Sequence, residues 1–87
     1  MTAMWFRVTG RVHGVGFRAF AKQTADELML QGEVWNSREG SVEGHAQGEK
    51  VREFLAALER GPGYVEAVVA EPAEPIEYDG FSITRTR

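Results

Sequence analysis

The 87-residue sequence contains no cysteine, which excludes disulfide bonds, zinc–thiolate centres and cysteine nucleophiles. Its two histidines stand without a carboxylate or thiol at metal-ligand spacing, so we expect no metal site and no cofactor. At a formal net charge of −3 the chain lacks the basic excess of a nucleic-acid binder. It also lacks an apolar run long enough to cross a bilayer and the start of a signal peptide. These absences predict a cytoplasmic protein with no nucleic-acid or membrane partner.

The residues that are present are typical of a small globular protein. Hydrophobic residues make up 43% of the chain and charged residues 26%, which separates it from disordered sequences. A chain of this length is long enough for one two-layer core and no more. We therefore expect a single domain over residues 1–87 that acts as a monomer.

Hydrophobic spacing predicts five strands and two helices. The strands are expected at residues 4–11, 33–37, 41–47, 64–70 and 81–85, and the helices at 17–30 and 49–60. The order β-α-β-β-α-β plus a short final strand predicts an α+β, ferredoxin-like sandwich. Both helices then cover one face of a mixed, mainly antiparallel sheet. Alternation along the third strand places His45 on the solvent face, and Gly32 is expected to mark the exit from the first helix.

The connection between the first strand and the first helix is rich in glycine. It reads Gly-Arg-Val-His-Gly-Val-Gly-Phe-Arg over residues 10–18. Glycines let the main chain form a concave turn, and the N–H groups at a helix N-terminus favour an anion. Arg18 adds a guanidinium fork that matches two oxygens of one phosphate. The candidate phosphate-binding loop is therefore His13, Gly14, Val15, Gly16, Phe17 and Arg18; the competing interpretation is a tight loop with a surface arginine.

Three segments together resemble the acylphosphatase family. They are residues 10–18, then Gly-Glu-Val-Trp-Asn-Ser at 32–37, and Glu-Gly-Ser-Val-Glu-Gly at 39–44. The resemblance covers essentially the whole chain and implies hydrolysis of the carboxyl-phosphate anhydride bond of acyl phosphates. The substrate is then a small acyl phosphate, and inorganic phosphate is both product and inhibitor. The family pattern assigns phosphate binding to Arg18 and water positioning to Asn36 as the catalytic residues.

The chain departs from the family pattern at several positions outside this catalytic pair. His13 stands where glutamine is common, Met29 where glycine is common, Glu33 where tryptophan is common, and Arg85 where an aromatic residue often closes the last strand. These differences bear on stability, edge packing and substrate preference, and they leave the reaction class unchanged.

The reaction that the resemblance implies requires only a few catalytic side chains. The leaving group of an acyl phosphate is a carboxylate of low pKa, so no general acid has to protonate it. The phosphoryl group has to be held and its charge balanced, and water has to be aligned opposite the leaving oxygen. A neutral amide such as Asn36 orients water through its donor and acceptor together. The competing interpretation of Asn36 is a structural amide at the end of a strand.

Two other functions fit the same fold. The first is a small-anion or nucleic-acid binding module without catalysis, for which Trp5 and Trp35 supply aromatic platforms while the net charge has the wrong sign. The second is a detached copy of the acylphosphatase-like segment of larger carbamoyl-transfer maturation proteins. Those proteins carry zinc-finger cysteines, which this chain lacks.

Overall fold

Seven elements follow one another in the predicted order. The computed structural model describes all 87 residues. The elements are β1 (Ala3–Arg11), α1 (Phe17–Glu27), β2 (Gln31–Asn36), β3 (Val42–Gln47), α2 (Val51–Leu58), β4 (Tyr64–Pro72) and β5 (Phe81–Ile83). Neither helix has the length and apolar character that crossing a membrane requires.

The strands form one five-stranded sheet in the order β4-β1-β3-β2-β5. The pairs β1–β3, β1–β4 and β2–β3 are antiparallel, and only β2 and β5 run parallel. This is the predicted α+β, ferredoxin-like arrangement, which is confirmed. The β2 and β5 strands lie side by side at one edge, so the end of β2 is close to the segment that follows β5.

The core lies between one face of the sheet and the two helices. Phe6 and Val8 of β1 are buried there, whereas Trp5 and Arg7 point to the opposite, open face. Phe54 of α2 is fully buried, and its ring centroid lies 5.4 Å from that of Phe6. Each crossover helix thus covers the sheet with its apolar stripe, as the 3.6-residue spacing predicts.

The first helix ends three residues earlier than predicted because Met29 takes a left-handed conformation, with φ of 57°. The N–H of Met29 donates to the Asp26 carbonyl and that of Leu30 to the Ala25 carbonyl, a Schellman ending. Glycine usually occupies this position, since a side chain in this conformation costs about 1 kcal/mol. Gly32, predicted to mark the helix exit, instead lies inside β2, where a Cβ would collide with the His45 carbonyl.

The prediction that His45 is exposed is wrong. Its side chain does point to the open face, but it is completely buried there. The segment between β4 and β5 crosses that face, and His45 Nε2 donates to the Glu74 carbonyl at 3.1 Å. The imidazole also packs edge-on against Trp5, with ring centroids 4.5 Å apart. Strand alternation gave the correct face and could not show that a distant segment covers it.

Candidate active site

Residues 12–16 form the loop between β1 and α1. Gly14 and Gly16 have φ of 71° and 79°, in the left-handed region that favours glycine. A Cβ at either position would meet no atom within 4 Å, so backbone conformation and not crowding accounts for these glycines. The space in front of the loop is open, as access by a ligand requires.

The loop and the first turn of α1 present a row of unused hydrogen-bond donors. The main-chain N–H groups from Gly14 to Ala19 have no partner within the protein. Gly16 is the N-cap and provides no side-chain cap, and the first turn contains no acidic residue. Free N–H groups and the positive end of the helix dipole therefore act together at this point.

Arg18 lies in the first turn of α1 and is half-buried. Its guanidinium takes part in none of the three ion pairs of the protein and in none of its side-chain hydrogen bonds. The residue borders a cavity of about 190 Å³ whose walls are mostly apolar. The lining residues are Val12, Gly16, Phe17, Arg18, Ala19 and Ile83.

His13 ties the loop to the hairpin formed by β2 and β3. Its Nε2 donates to the Ser41 carbonyl at 2.8 Å, and the same oxygen accepts the Ser37 N–H at 2.9 Å. Because a carbonyl oxygen only accepts, Nε2 carries the proton in this bond. His13, one of the predicted site residues, therefore joins the loop to the hairpin, although it is largely exposed.

Asn36 is the last residue of β2, and its side-chain oxygen has no partner. The residue is half-buried, but its Oδ1 is inaccessible to solvent and accepts no hydrogen bond. Buried polar atoms are nearly always satisfied, so an unsatisfied one needs an explanation. Asn36 also places a polar side chain on an apolar strand face, because Val34 on the same face of β2 is fully buried.

The topology brings Arg18 and Asn36 to the same end of the sheet. Ile83 borders the Arg18 cavity and pairs with Val34 in the parallel β2–β5 register. Asn36 follows Val34 by two residues and so lies on the same face, one step closer to the loop. The hydrogen bond from His13 to the Ser41 carbonyl links the loop to the hairpin that begins with the strand of Asn36.

The predicted site residues do not include two serines that support the site. Ser37 is buried, and its Oγ lies 2.6 Å from that of Ser41. The Ser41 N–H also donates to Ser37 Oγ at 3.0 Å. Together they fix the turn that follows Asn36. The available signal was a serine at each end of a short turn, a pattern typical of hydroxyl–backbone bonding.

The turn after α2 supports the loop from behind. A Cβ at Gly63 would collide with the Arg11 carbonyl, and one at Gly61 would meet the Phe17 ring at 2.5 Å. The glycines of the Gly-Pro-Gly sequence at 61–63 thus let this turn approach the base of the candidate loop.

The open face of the sheet, opposite the helices, carries both tryptophans. Trp5 and Trp35 meet edge-on with ring centroids 6.3 Å apart, and they border a cleft of about 400 Å³. Arg7 on this face is paired with Glu43 at 3.2 Å. Of the two aromatic platforms named for a nucleic-acid binding module, Trp5 is exposed, whereas Trp35 is buried and has the Arg87 guanidinium over its ring. Acidic side chains also border the cleft.

The comparison with known proteins decides the family. A family model described as Acylphosphatase matches residues 4–83. The chain belongs to the acylphosphatase family. An acylphosphatase of Rhodopseudomonas palustris is 49% identical over 72 residues, which cover 78% of this chain and 73% of that protein. One from Leuconostoc mesenteroides subsp. mesenteroides is 41% identical over 88 residues, covering 95% and 98%.

A solved acylphosphatase structure agrees with the architecture. The crystal structure of acylphosphatase from Bacillus subtilis matches with a TM-score of 0.91 and 34% sequence identity, covering 97% of this chain and 99% of that one. The family resemblance, the fold and the prediction of an acyl phosphate-hydrolysing enzyme are thus confirmed. The roles of individual residues in this acylphosphatase stay predictions.

Proposed function

We propose that the loop 13–18, Arg18 and Asn36 form the centre at which this acylphosphatase hydrolyses acyl phosphates. The observation that carries the proposal is the row of unpartnered N–H groups from Gly14 to Ala19, bordered by an unpaired guanidinium. Free N–H groups at a helix N-terminus favour the binding of a phosphate group. The products are a carboxylate and inorganic phosphate.

The loop and Arg18 hold the phosphoryl group. Main-chain N–H groups donate to its oxygens from one side, and the planar guanidinium donates to two oxygens from the other. The transition state of phosphoryl transfer is loose and spreads negative charge over the equatorial oxygens, so catalysis is mainly positioning and charge stabilisation. These donors are fixed before substrate arrives, because Gly14, Gly16 and the His13 bond set the loop shape.

Asn36 holds the attacking water. Its side-chain NH₂, which makes no hydrogen bond within the protein, donates to the water oxygen and leaves a lone pair of that oxygen aligned with the phosphorus, whereas the buried Oδ1 faces the protein interior. The water oxygen then forms the new P–O bond as the bond to the acyl oxygen breaks. The leaving carboxylate keeps the electron pair, and the water proton passes to a phosphoryl oxygen. A carboxylate in place of the amide would repel the incoming phosphate.

The phosphate site can be tested by titration and by inhibition. We expect inorganic phosphate to inhibit hydrolysis of a simple aryl acyl phosphate competitively, and to shift the amide NMR signals of residues 13–19. Both are measured in EDTA with no added metal, because the donors named above supply the charge stabilisation themselves. Shifts confined to other residues, non-competitive inhibition, or activity that appears only after a divalent ion is added would contradict the proposal.

We further propose a monomer that acts in the cytoplasm with the acyl phosphate as its partner, without a nucleic-acid or membrane partner. One chain supplies every candidate residue, from α1, from β2 and from the loop between β1 and α1. A cysteine-free sequence also suits a reducing compartment. Light scattering on the purified protein should give the mass of one chain, and fractionated cells should hold the protein in the cytoplasmic fraction; a stable dimer or a membrane-bound pool would contradict this proposal.

A further inference from the structure

The segment after β5 continues along the edge of β2 and reaches Asn36. Pairing between β5 and β2 ends at Ile83, and the Thr84 N–H then donates to the Val34 carbonyl at 2.8 Å. Contact resumes at Arg87, whose N–H donates to the Asn36 carbonyl at 2.9 Å. The Arg87 carbonyl in turn accepts the Arg38 N–H at 2.9 Å. One residue therefore holds the main chain on both sides of position 37.

The side chain of Arg87 fixes this segment to the open face of β2. One guanidinium nitrogen lies 2.7 Å from Glu33 Oε1, and the guanidinium carbon lies 3.7 Å from the centroid of the Trp35 ring. A guanidinium both pairs with a carboxylate and stacks on an aromatic face, which an ammonium does less well. Arg87 thus contacts Glu33 and Trp35 with its side chain and Asn36 with its main chain.

Glu33 is the centre of this contact set. Its Oε1 also accepts the Thr84 hydroxyl at 3.3 Å, and its Oε2 accepts the Tyr78 hydroxyl at 3.0 Å. Burial, the bond to Glu33 and its negative charge raise the pKa of Tyr78 to about 12, against the opposing charge of Arg87. The carboxylate is mostly shielded, at 19% side-chain exposure, so its pairing with Arg87 is screened less than a surface ion pair.

We propose that Arg87 is a positioning residue for the hydrolysis. Through Glu33 and Trp35 it fixes the end of β2 and so holds the Asn36 amide where the attacking water is bound. The proposal rests on the water-positioning role of Asn36 given above. It also gives Glu33 a purpose in this chain, since a tryptophan at that position could not pair with an arginine.

The need for such a contact follows from where Asn36 lies. It is the last residue of β2, and beyond it the chain turns. On one side it pairs with Val42 of β3, and on the other side Arg87 alone occupies the strand edge at that level. A displacement of the order of 1 Å at a reacting group costs large factors in rate. Loosening this edge therefore affects the water more than the phosphate, which the loop holds.

Two arginines of the same segment provide a matched test. Arg87→Ala is expected to lower kcat for an aryl acyl phosphate by about tenfold, with KM and the phosphate Kd within about twofold, because only the nucleophile is displaced. Arg85→Ala removes the same charge from an exposed side chain without an ion pair or a side-chain hydrogen bond, and should leave all three values unchanged. Arg87→Lys should recover part of kcat, since the ion pair can re-form without full stacking. An unchanged kcat in Arg87→Ala, or an equal loss in Arg85→Ala, would overturn the proposal.

Hydrogen exchange separates this proposal from the role of Asn36. The Arg38 N–H donates to Arg87, so its exchange should speed up in Arg87→Ala and in the milder Glu33→Gln, which keeps the shape of the side chain. Unchanged protection at Arg38 would show that Arg87 does not fix this edge, whatever Asn36 does. Faster exchange with unchanged kcat would overturn the positioning claim in the same way. The role of Asn36 is tested separately by kcat of Asn36→Ala, and an unchanged kcat in that variant would show that Asn36 does not position the water.

Discussion

Arg18→Ala is expected to abolish both turnover and measurable phosphate binding while the fold survives. The guanidinium makes no hydrogen bond or ion pair within the protein, so its removal leaves no protein partner unsatisfied. Loss of a charge-assisted pair to a phosphoryl group should weaken binding by about 2 kcal/mol or more, about thirtyfold in Kd. Calorimetric titration with phosphate and assay of an aryl acyl phosphate give the two values.

Arg52→Ala is the matched control for this variant. Arg52 is an exposed arginine of α2 without ion pair or side-chain hydrogen bond, and its removal changes the net charge equally. It should leave both values unchanged, which separates a local effect from a general electrostatic one. Near-normal activity in an Arg18→Ala protein that circular dichroism shows to be folded would refute the role of Arg18.

Asn36→Ala is expected to lower kcat by about two to four decades while phosphate affinity stays nearly intact. An interaction made with the nucleophile in the transition state affects kcat without a matching change in ground-state binding. The buried Oδ1 has no protein partner, so truncation breaks no hydrogen bond of the fold. Measuring kcat and the phosphate Kd on the same preparation tests the two halves of the prediction.

Asn36→Asp is the informative companion, because it keeps the shape of the side chain and adds a negative charge. It should be as poor in turnover as the alanine variant, since a carboxylate beside the phosphoryl group repels it. Loss of phosphate binding in Asn36→Ala as severe as in Arg18→Ala would mean that Asn36 binds phosphate or supports the fold. The water-positioning role would then have to be abandoned.

The parts of the fold that the sequence could predict are those set by periodicity and by turn residues. The stripe of Phe17, Ala21 and Ala25 along α1 is buried, as its spacing indicates. The left-handed glycines at 14 and 16 likewise follow from the Gly-rich pattern between strand and helix. These features depend on the local sequence alone, so they can be predicted without knowledge of distant contacts.

The features that could not be predicted all depend on segments far apart in the chain. His45 is buried because residues 73–80 cross the open face, and no pattern around position 45 contains that information. The pairing of Arg87 with Glu33 joins positions 54 residues apart, and only the sheet order brings them together. The early end of α1 is a different case, since Met29 occupies a conformation that its residue type disfavours.

A crystal structure of the enzyme with bound phosphate tests the central claim most directly. We expect the anion in front of the loop 13–18, within hydrogen-bond distance of main-chain N–H groups between Gly14 and Ala19 and of the Arg18 guanidinium, with a water molecule between it and the side-chain amide of Asn36. Phosphate found only elsewhere, for example on the arginines of the open face, with the loop N–H groups still unpartnered, would contradict the account.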